Sequence, residues 1–225
     1  MRSSAVALPR RLCLLVASLT VVALVGCTGS PPEILYPDLQ LSLVRDPATG
    51  DVAEVLRLYV AIRDADGESD PARIFLHHES AGLFWELSSD EWSRVEYAGD
   101  IWYGMPDLRM PDGDPLPRGR YTVIAEDQGL SRSTSEAFLT ADPPDEPAFP
   151  FLIVRSTGLR VQADDEVVLR VYNRSGQMVI NQVVVPGAVP SEVFDRIPSE
   201  TGVQAFVSTL DEGIRLESGP YTIAR

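Results

Sequence analysis

Residues 56–63 alternate between two kinds of side chain. Every second position is aliphatic, and these positions are Leu56, Leu58, Val60 and Ile62. The positions between them are charged, polar or small: Arg57, Tyr59, Ala61 and Arg63. A repeat of two residues is typical of a β-strand with one buried and one solvated face. Because no stretch of similar length repeats every 3.6 residues, the sequence predicts an all-β protein.

Changes in composition divide the chain into two predicted domains. Residues 119–129 read as a strand followed by a turn, and residues 130–140 as a closing strand. Residues 141–150 then contain four prolines and three acids, which is typical of an extended connector. We therefore predict a first domain over residues 38–140 and a second, separately folded domain over residues 151–225.

Two short sequence patterns occur in both halves of the chain, in the same order. The Val-Leu-Arg-Leu-Tyr of residues 55–59 is echoed as Val-Leu-Arg-Val-Tyr in residues 168–172, and residues 116–123 are echoed by residues 216–223. Such repetition predicts two copies of one β unit. The second copy lacks a counterpart of residues 130–140, so we expect it to be smaller.

The second of these patterns, Leu-x-x-Gly-x-Tyr-Thr, begins at Leu116 and again at Leu216. It resembles a late strand of Ig-like and fibronectin-III-like modules in bacterial surface proteins. Together with short strands, frequent turns and no βαβ rhythm, the resemblance implies two tandem Ig-like β-sandwich domains. The cysteine and tryptophan framework of antibody domains is absent, so this expectation rests on architecture.

The chain begins with the layout of a secretion signal. Arg2, Arg10 and Arg11 precede residues 12–24, which are apolar except for Cys13, Ser18 and Thr20. A helix needs about 20 apolar residues to span a bilayer, so this run is too short to remain as an anchor. We expect residues 1–26 to be removed.

The end of this run, Leu24-Val25-Gly26-Cys27, resembles the lipobox of bacterial lipoprotein precursors. The resemblance implies cleavage before Cys27, lipid on its thiol, and a lipidated tether over residues 27–37. Two or three acyl chains hold a protein on a membrane durably. Thr28 replaces the aspartate that favours inner-membrane retention in this family, so the outer membrane or cell surface is the expected location. The alternative is an ordinary signal peptide with an incidental cysteine.

The charge and residue usage exclude several functions. The formal net charge is −14, and losing the three signal arginines lowers it to −17. Nucleic acid is therefore not expected as a partner, because phosphate binding needs a basic surface. The chain contains no lysine, and neither Cys13 nor Cys27 leaves a free thiol after cleavage and lipidation. We expect no cofactor and no disulfide.

Two groups of residues are candidates for metal binding, and both fit poorly. His77 and His78 are adjacent, so on a strand their side chains point to opposite faces. Asp64, Asp66, Glu68 and Asp70 occupy alternate positions, as the first ligands of a calcium loop do. However, glycine falls at the fourth position where an EF-hand needs it at the sixth, and Phe75 stands where the twelfth-position glutamate belongs. A solvated turn is the preferred interpretation, and calcium is expected to add little stability.

Aromatic residues are concentrated between Phe84 and Tyr103, and the candidate partner-binding residues are Trp85, Trp92, Trp102 and Tyr103. On strands, one ring of each adjacent aromatic pair should point away from the core. We therefore expect a non-enzymatic interaction or structural module that binds an envelope protein. The alternative is a carbohydrate- or peptidoglycan-binding protein, and a catalytic pair among the 33 acids stays open.

Overall fold

The computed structural model describes residues 29–211 and 213–223. Strands dominate this part of the chain, so the all-β prediction is confirmed. In chain order they are β1 (Glu33–Arg45), β2 (Val52–Arg63), β3 (Pro71–His78), β4 (Leu83–Ser88), β5 (Ser93–Tyr97), β6 (Asp100–Leu108), β7 (Gly119–Asp127), β8 (Arg132–Leu139), β9 (Phe151–Arg155), β10 (Gly158–Gln162), β11 (Val167–Tyr172), β12 (Met178–Val184), β13 (Gly187–Ala188), β14 (Val203–Asp211) and β15 (Ile214–Ile223).

Helical structure is limited to two short segments in the described residues. One is a 3₁₀ turn, Glu79–Ala81, and the other is a single α-helical turn, α1 (Ser191–Phe194). None of the described helical segments is long and apolar enough to cross a membrane.

The strands form three sheets. The largest contains eight strands in the order β12-β11-β14-β15-β1-β2-β6-β5. A four-stranded sheet has the order β4-β3-β7-β8, and a three-stranded sheet has the order β13-β10-β9. Each smaller sheet shares a hydrophobic core with one half of the large sheet. The eight-stranded sheet is therefore one layer of two sandwiches.

The first sandwich encloses the side chains that the alternating pattern assigns to a buried face. Leu56, Leu58 and Val60 are fully buried and Ile62 is 4% exposed. They pack with residues of the four-stranded sheet, which include Ile74, Leu76, Tyr121, Val123 and Ala125. Burying one such aliphatic side chain contributes about 1.5–3 kcal/mol. The period-2 pattern therefore correctly identified the core face of β2.

The second sandwich has its own core, built entirely from residues that follow the proline-rich segment. It includes Leu152, Leu159, Val161, Leu169, Val171, Ile180, Ala205, Val207, Tyr221 and Ile223. Val193 and Phe194 of α1 close one side of it. Two hydrophobic cores in the described chain agree with the expectation of two sandwich units.

The two sandwiches are joined by strand pairing, and here the structure differs from the prediction. Residues 42–45 of β1 pair in parallel with residues 215–218 of β15. Ile214 and Leu216 of β15 are buried in the first core, while Tyr221 of the same strand belongs to the second. One continuous sheet therefore crosses the predicted boundary, which the sequence did not anticipate. Separate folding of residues 38–140 and 151–225 stays a prediction.

The first strand also begins earlier than the sequence predicts. β1 starts at Glu33, inside the predicted tether of residues 27–37, and Glu33 lies opposite Arg63 of β2. Pro37 is accommodated because β1 pairs with β15 only from Ser42 onward, so within the described chain the earlier part of β1 has one edge without a partner strand. Any tether between Cys27 and the first sandwich is accordingly short.

The proline-rich connector has neither helix nor strand, but it packs against the first sandwich. Ala141 and Phe149 contact the first core, and the Arg45 guanidinium lies 5.9 Å from the centre of the Phe149 ring. Arg118 Nε lies 3.5 Å from a carboxylate oxygen of Asp142. The connector is thus fixed at several points along its length.

The repeated patterns do not occupy equivalent places. The first pattern falls on β2 and β11, which lie in the same sheet. The second falls on β7 in the four-stranded sheet and on β15 in the eight-stranded sheet. Similar strand sequences therefore serve different positions, because the pattern specifies a buried face and not a neighbour.

Candidate functional site

The aromatic residues predicted to bind a partner divide between the two faces of their sheets. Trp85 and Trp92 are half-buried against the first core, and Tyr103 is 3% exposed. Trp102 lies on the opposite face of β6 from Tyr103, directly across from Ala61 of β2. The prediction that one ring of each adjacent pair points away from the core is confirmed, with Phe84 as the outward ring beside Trp85.

Of the four predicted residues, Trp102 is therefore the one that lies on the outer face of its sheet. Tyr103 donates its hydroxyl to the backbone oxygen of Glu68, and its ring packs edge-to-face on Trp92 at 5.3 Å. Both residues therefore organise the first core. Cys27, the predicted lipid attachment site, lies outside the described residues.

The outer face of the eight-stranded sheet brings three arginines together. Arg57 lies on β2, Arg215 on β15 and Arg170 on β11. All three are half-buried, whereas Ser42 and Val55, which lie across from one another on β1 and β2, are buried. We call Arg57, Arg170 and Arg215 the seam arginines, because they lie at or near the pairing of β1 with β15.

In the described structure Glu217 acts on two of the seam arginines, Arg170 and Arg215. Glu217 forms an ion pair with Arg170, whose guanidinium also lies 3.5 Å from the hydroxyl of Ser208. Burial lowers the pKa of Arg215, and the like charges of Arg170 and Arg57 lower it further. Asp38 also lies on this face, across from Tyr59 of β2. Three arginines against Glu217 and Asp38 leave a small local excess of positive charge on a chain whose net charge is −14.

Several N–H groups on this face are buried without an acceptor in the described residues. They are the Nε groups of Arg57 and Arg170 and the indole Nε1 of Trp102. Leaving a buried donor unpaired costs about 1–3 kcal/mol, and more for charged groups. The face also carries rings: the Arg57 guanidinium lies 4.8 Å from the centre of the Tyr59 ring, and Tyr172 packs edge-to-face on Phe206 at 5.6 Å.

Sequence reasoning missed the seam arginines. Each is an isolated arginine within an alternating strand, and such residues usually indicate a solvated face. Their proximity depends on the parallel pairing of β1 with β15, which joins the two ends of the chain. A partial signal was present, because Arg57 and Arg170 occupy the same position in the repeated Val-Leu-Arg pattern.

The acids of the turn after β2 have different neighbours in the structure. Asp64 and Asp70 lie close to Asp127 at the end of β7, with carboxylate oxygens of all three within 4.8 Å of one another. Asp66 instead accepts a hydrogen bond from the backbone N–H of Ser30 at 2.7 Å. We call Asp64, Asp70 and Asp127 the carboxylate cluster.

The surroundings of this cluster raise the pKa of Asp70. Desolvation raises the pKa of Asp70, and the negative charges of Asp64, Asp127 and Asp66 raise it further. Asp127 is 1% exposed, so its charge is poorly screened by water. The sequence placed Asp64 and Asp70 in one turn, but it could not identify Asp127 as their neighbour.

The histidines have a structural role. His78 Nδ1 accepts the backbone N–H of Ala81 at 3.3 Å, and Nε2 lies 3.0 Å from the backbone oxygen of Arg118, to which it can donate. Ser80 Oγ, 3.4 Å away, shares the Nδ1 atom with Ala81. That nitrogen is therefore already engaged and is not available as a general base. His77 lies on the other face of β3, where its ring contacts Phe84.

A shallow groove separates the connector from the second sandwich. It is lined by residues that include Phe149, Arg160, Gln162 and Asp164. This set contains neither a nucleophile nor a general base held by a third residue, which the common hydrolytic mechanisms need.

Comparison with known proteins yields weak structural similarity. No protein-family model matches the chain, and no curated protein sequence matches it. The chain is similar to dimeric latent PorU of Porphyromonas gingivalis, with 12% identity over 87% of this chain and 20% of that chain and a TM-score of 0.34. It is also similar to Tp47, the 47-kilodalton lipoprotein of Treponema pallidum, with 11% identity over 84% and 50% of the two chains and a TM-score of 0.37.

A tandem of titin Z1Z2 domains gives 14% identity over 86% of this chain and 98% of that chain, with a TM-score of 0.26. This chain thus spans about one fifth of the PorU chain and half of Tp47. Similarities at this level assign neither a family nor a function.

Proposed function

We propose that this chain is a lipid-anchored envelope protein that binds an acidic protein partner through the outer face of its eight-stranded sheet. In this proposal lipid on Cys27 holds the protein on a bacterial membrane, at the outer membrane or cell surface. The two sandwiches act as a rigid binding module without catalysing a reaction.

The unpaired N–H donors of Arg57, Arg170 and Trp102 are the observation that carries the proposal. Buried donors in proteins are nearly always satisfied, and a group of exceptions on one face calls for an acceptor from outside the chain. Carboxylates are the strongest acceptors for guanidinium groups, and they match the local excess of positive charge. Arginine, tyrosine and tryptophan are also the residues that contribute most to binding at protein interfaces.

Photo-crosslinking in the intact envelope tests the binding surface. A photoreactive residue replaces Leu210, which is 63% exposed and lies across from Arg215 on the same face. The matched control replaces Phe138, which is 59% exposed on the four-stranded sheet. We expect a crosslinked acidic protein from position 210 and none from position 138.

Charge reversal then tests the role of the seam arginines. Arg215→Glu should reduce the crosslink at position 210 at least about tenfold, since unlike charges become like charges at the interface. Arg155→Glu, an exposed residue of β9, should leave it unchanged. A crosslink that persists in Arg215→Glu contradicts the proposed surface. Retention on purified peptidoglycan, without any protein crosslink, would favour the carbohydrate-binding alternative.

The anchor is tested in the same cells. Cys27→Ser should abolish acyl labelling and partitioning into the detergent phase, while Cys13→Ser should change neither, because Cys13 leaves with the signal. If the Cys27→Ser variant still partitions with membranes, the protein is held there by something other than this lipid.

A further inference from the structure

Two consecutive buried acids at the end of β7 have opposite surroundings. Glu126 is fully buried and forms ion pairs with Arg73 and Arg132. Asp127 is 1% exposed, and no basic side chain in the described residues lies within ion-pair distance of it. A buried charge is costly unless it is paired or coordinates a metal. Glu126 meets this requirement with protein groups, and Asp127 does not.

The side chains nearest to Asp127 add negative charge. Asp64 and Asp70 bring their carboxylates within 4.8 Å of it, and they too have no ion pair in the described structure. The Oδ2 atoms of Asp127 and Asp64 are both buried and have no hydrogen-bond partner. Asp127 Oδ1 accepts the backbone N–H of Ser131 at 2.7 Å, which holds the carboxylate in place.

We propose that Asp64, Asp70 and Asp127 bind a calcium ion at this end of the first sandwich. A divalent cation supplies the positive charge that the protein omits, and it provides a partner for the two unpaired oxygens. The ligands are all oxygens, which suits a hard cation. Calcium binds oxygen at about 2.3–2.6 Å, so ligands on opposite sides of the ion lie about 4.6–5.2 Å apart. Magnesium requires shorter and more regular contacts.

The position of the site suggests what the ion does. Asp64 and Asp70 belong to the turn between β2 and β3, and Asp127 is the last residue of β7, next to the turn that leads to β8. The backbone of Gln128 donates to Asp70 O at 3.0 Å, so these turns already contact each other. A calcium ion bound to all three carboxylates would hold the end of β7 against the turn between β2 and β3. The same acidic turn holds Ser30 through Asp66, so the ion would also stiffen the exit of the chain toward Cys27.

The EF-hand pattern could not identify this site in the sequence. An EF-hand takes its ligands from one continuous loop, whereas this cluster draws two from one turn and the third from the end of β7. The poor EF-hand match therefore does not bear on the cluster. On this proposal calcium stabilises the first sandwich, whereas the sequence led us to expect that calcium adds little stability.

Calcium titration of the full chain in detergent, after treatment with EDTA, tests the proposal. We expect one calcium ion per chain, with a dissociation constant of about 10⁻⁴ M as in extracellular calcium modules. At about 100-fold excess over that value, calcium should raise the melting temperature by about 5 °C or more. Magnesium chloride at equal ionic strength should give a clearly smaller increase.

Two variants distinguish a site from general charge screening. Asp127→Asn keeps the size of the side chain and the acceptor for Ser131, and it should abolish the calcium-dependent increase. Asp66→Asn removes an acid of the same turn that lies outside the cluster, and it should bind calcium within about threefold of the parent chain. Circular dichroism in EDTA checks that each variant folds, and Asp70→Asn replaces Asp127→Asn if the latter does not.

Three results would overturn the proposal. The first is no calcium binding by calorimetry and no change in melting temperature. The second is a melting temperature that rises as much with magnesium as with calcium, or one that rises with calcium as much in Asp127→Asn as in the parent chain. The third is loss of binding in Asp66→Asn to the same extent as in Asp127→Asn, which would remove the assignment of these three ligands.

Discussion

The two sandwiches share strand β15, but they depend on it unequally. The second core contains no described residue before Leu152, so its sequence is continuous. The first core includes Ile214 and Leu216, which are 1% and 0% exposed and come from the end of the chain. The second unit is therefore self-contained, whereas the first is completed by a strand of the second. The continuous segment of residues 38–140 therefore does not contain the whole of the first core.

The pairing of β1 with β15 explains this asymmetry. Residues 42–45 of β1 obtain their second neighbour only from β15, and without it that part of β1 becomes a sheet edge. The same pairing brings Arg215 beside Arg57 and so creates the proposed binding face. One four-residue ladder thus contributes both to the stability of the first sandwich and to its surface.

Dividing the chain at the connector should have the largest effect. A fragment ending at Pro150 loses the burial of Ile214 and Leu216, about 1.5–3 kcal/mol each, together with a strand pairing. That loss is comparable with the whole stability of a small domain, about 5–15 kcal/mol. We expect this fragment to lack a cooperative melting transition and the fragment 151–225 to melt cooperatively.

Circular dichroism melts of both fragments, alone and mixed, measure this difference. Mixing should restore a transition to the first fragment, because β15 is supplied in trans. A first fragment that melts on its own at the temperature of the intact chain would show that β15 is dispensable, and the two units would then be equivalent.

The sequence predicted local structure well and long-range pairing poorly. Alternation along residues 56–63 identified the buried face of β2, because burial on one face is a local property of a strand. The same reasoning could not find the ladder between β1 and β15, since any exposed strand edge can in principle accept another strand. The seam arginines and Asp127 were missed for this reason: each becomes a neighbour of its partners only after distant segments pair.

Two matched core substitutions should have intermediate effects. Leu216 and Leu169 are both fully buried, each 0% exposed to solvent, and replacing one by alanine costs about 2–5 kcal/mol. Leu216→Ala should increase amide hydrogen exchange in the first sandwich and leave β11 and β12 protected. Leu169→Ala should increase exchange in both sandwiches, because the first depends on β15 being held by the second.

Hydrogen exchange measured peptide by peptide gives the test, with Val123→Ala of β7 as a control that lies in the first core but on the four-stranded sheet. That control should affect the first sandwich alone. If Leu169→Ala leaves exchange in β2 and β7 unchanged, the dependence of the first sandwich on the second is contradicted.

The smallest effect concerns the tyrosines of the repeated Leu-x-x-Gly-x-Tyr-Thr pattern. Tyr121 is fully buried and donates to the backbone oxygen of Pro117 at 2.7 Å. Burial raises its pKa to about 12. Burial also raises the pKa of Tyr221, which is 8% exposed. At neutral pH, Tyr121→Phe should cost about 1 kcal/mol through the lost hydrogen bond.

The pH dependence gives the sharper comparison. An unfolded tyrosine ionises near pH 10, so between pH 10 and 12 the unfolded chain loses this proton while folded Tyr121 keeps it. The free energy of unfolding should therefore fall by up to about 1.4 kcal/mol per pH unit in that range, and this contribution is fully present below pH 10.

Denaturant melts at pH 7, 10.5 and 11.5 should show a shallower alkaline loss of stability for Tyr121→Phe than for the parent chain. Tyr221→Phe should reduce the loss less, because its ring is less completely enclosed. An alkaline loss that is identical in the parent chain and Tyr121→Phe would mean that this tyrosine ionises without opening the first sandwich, and the two tyrosines would then not distinguish the two cores.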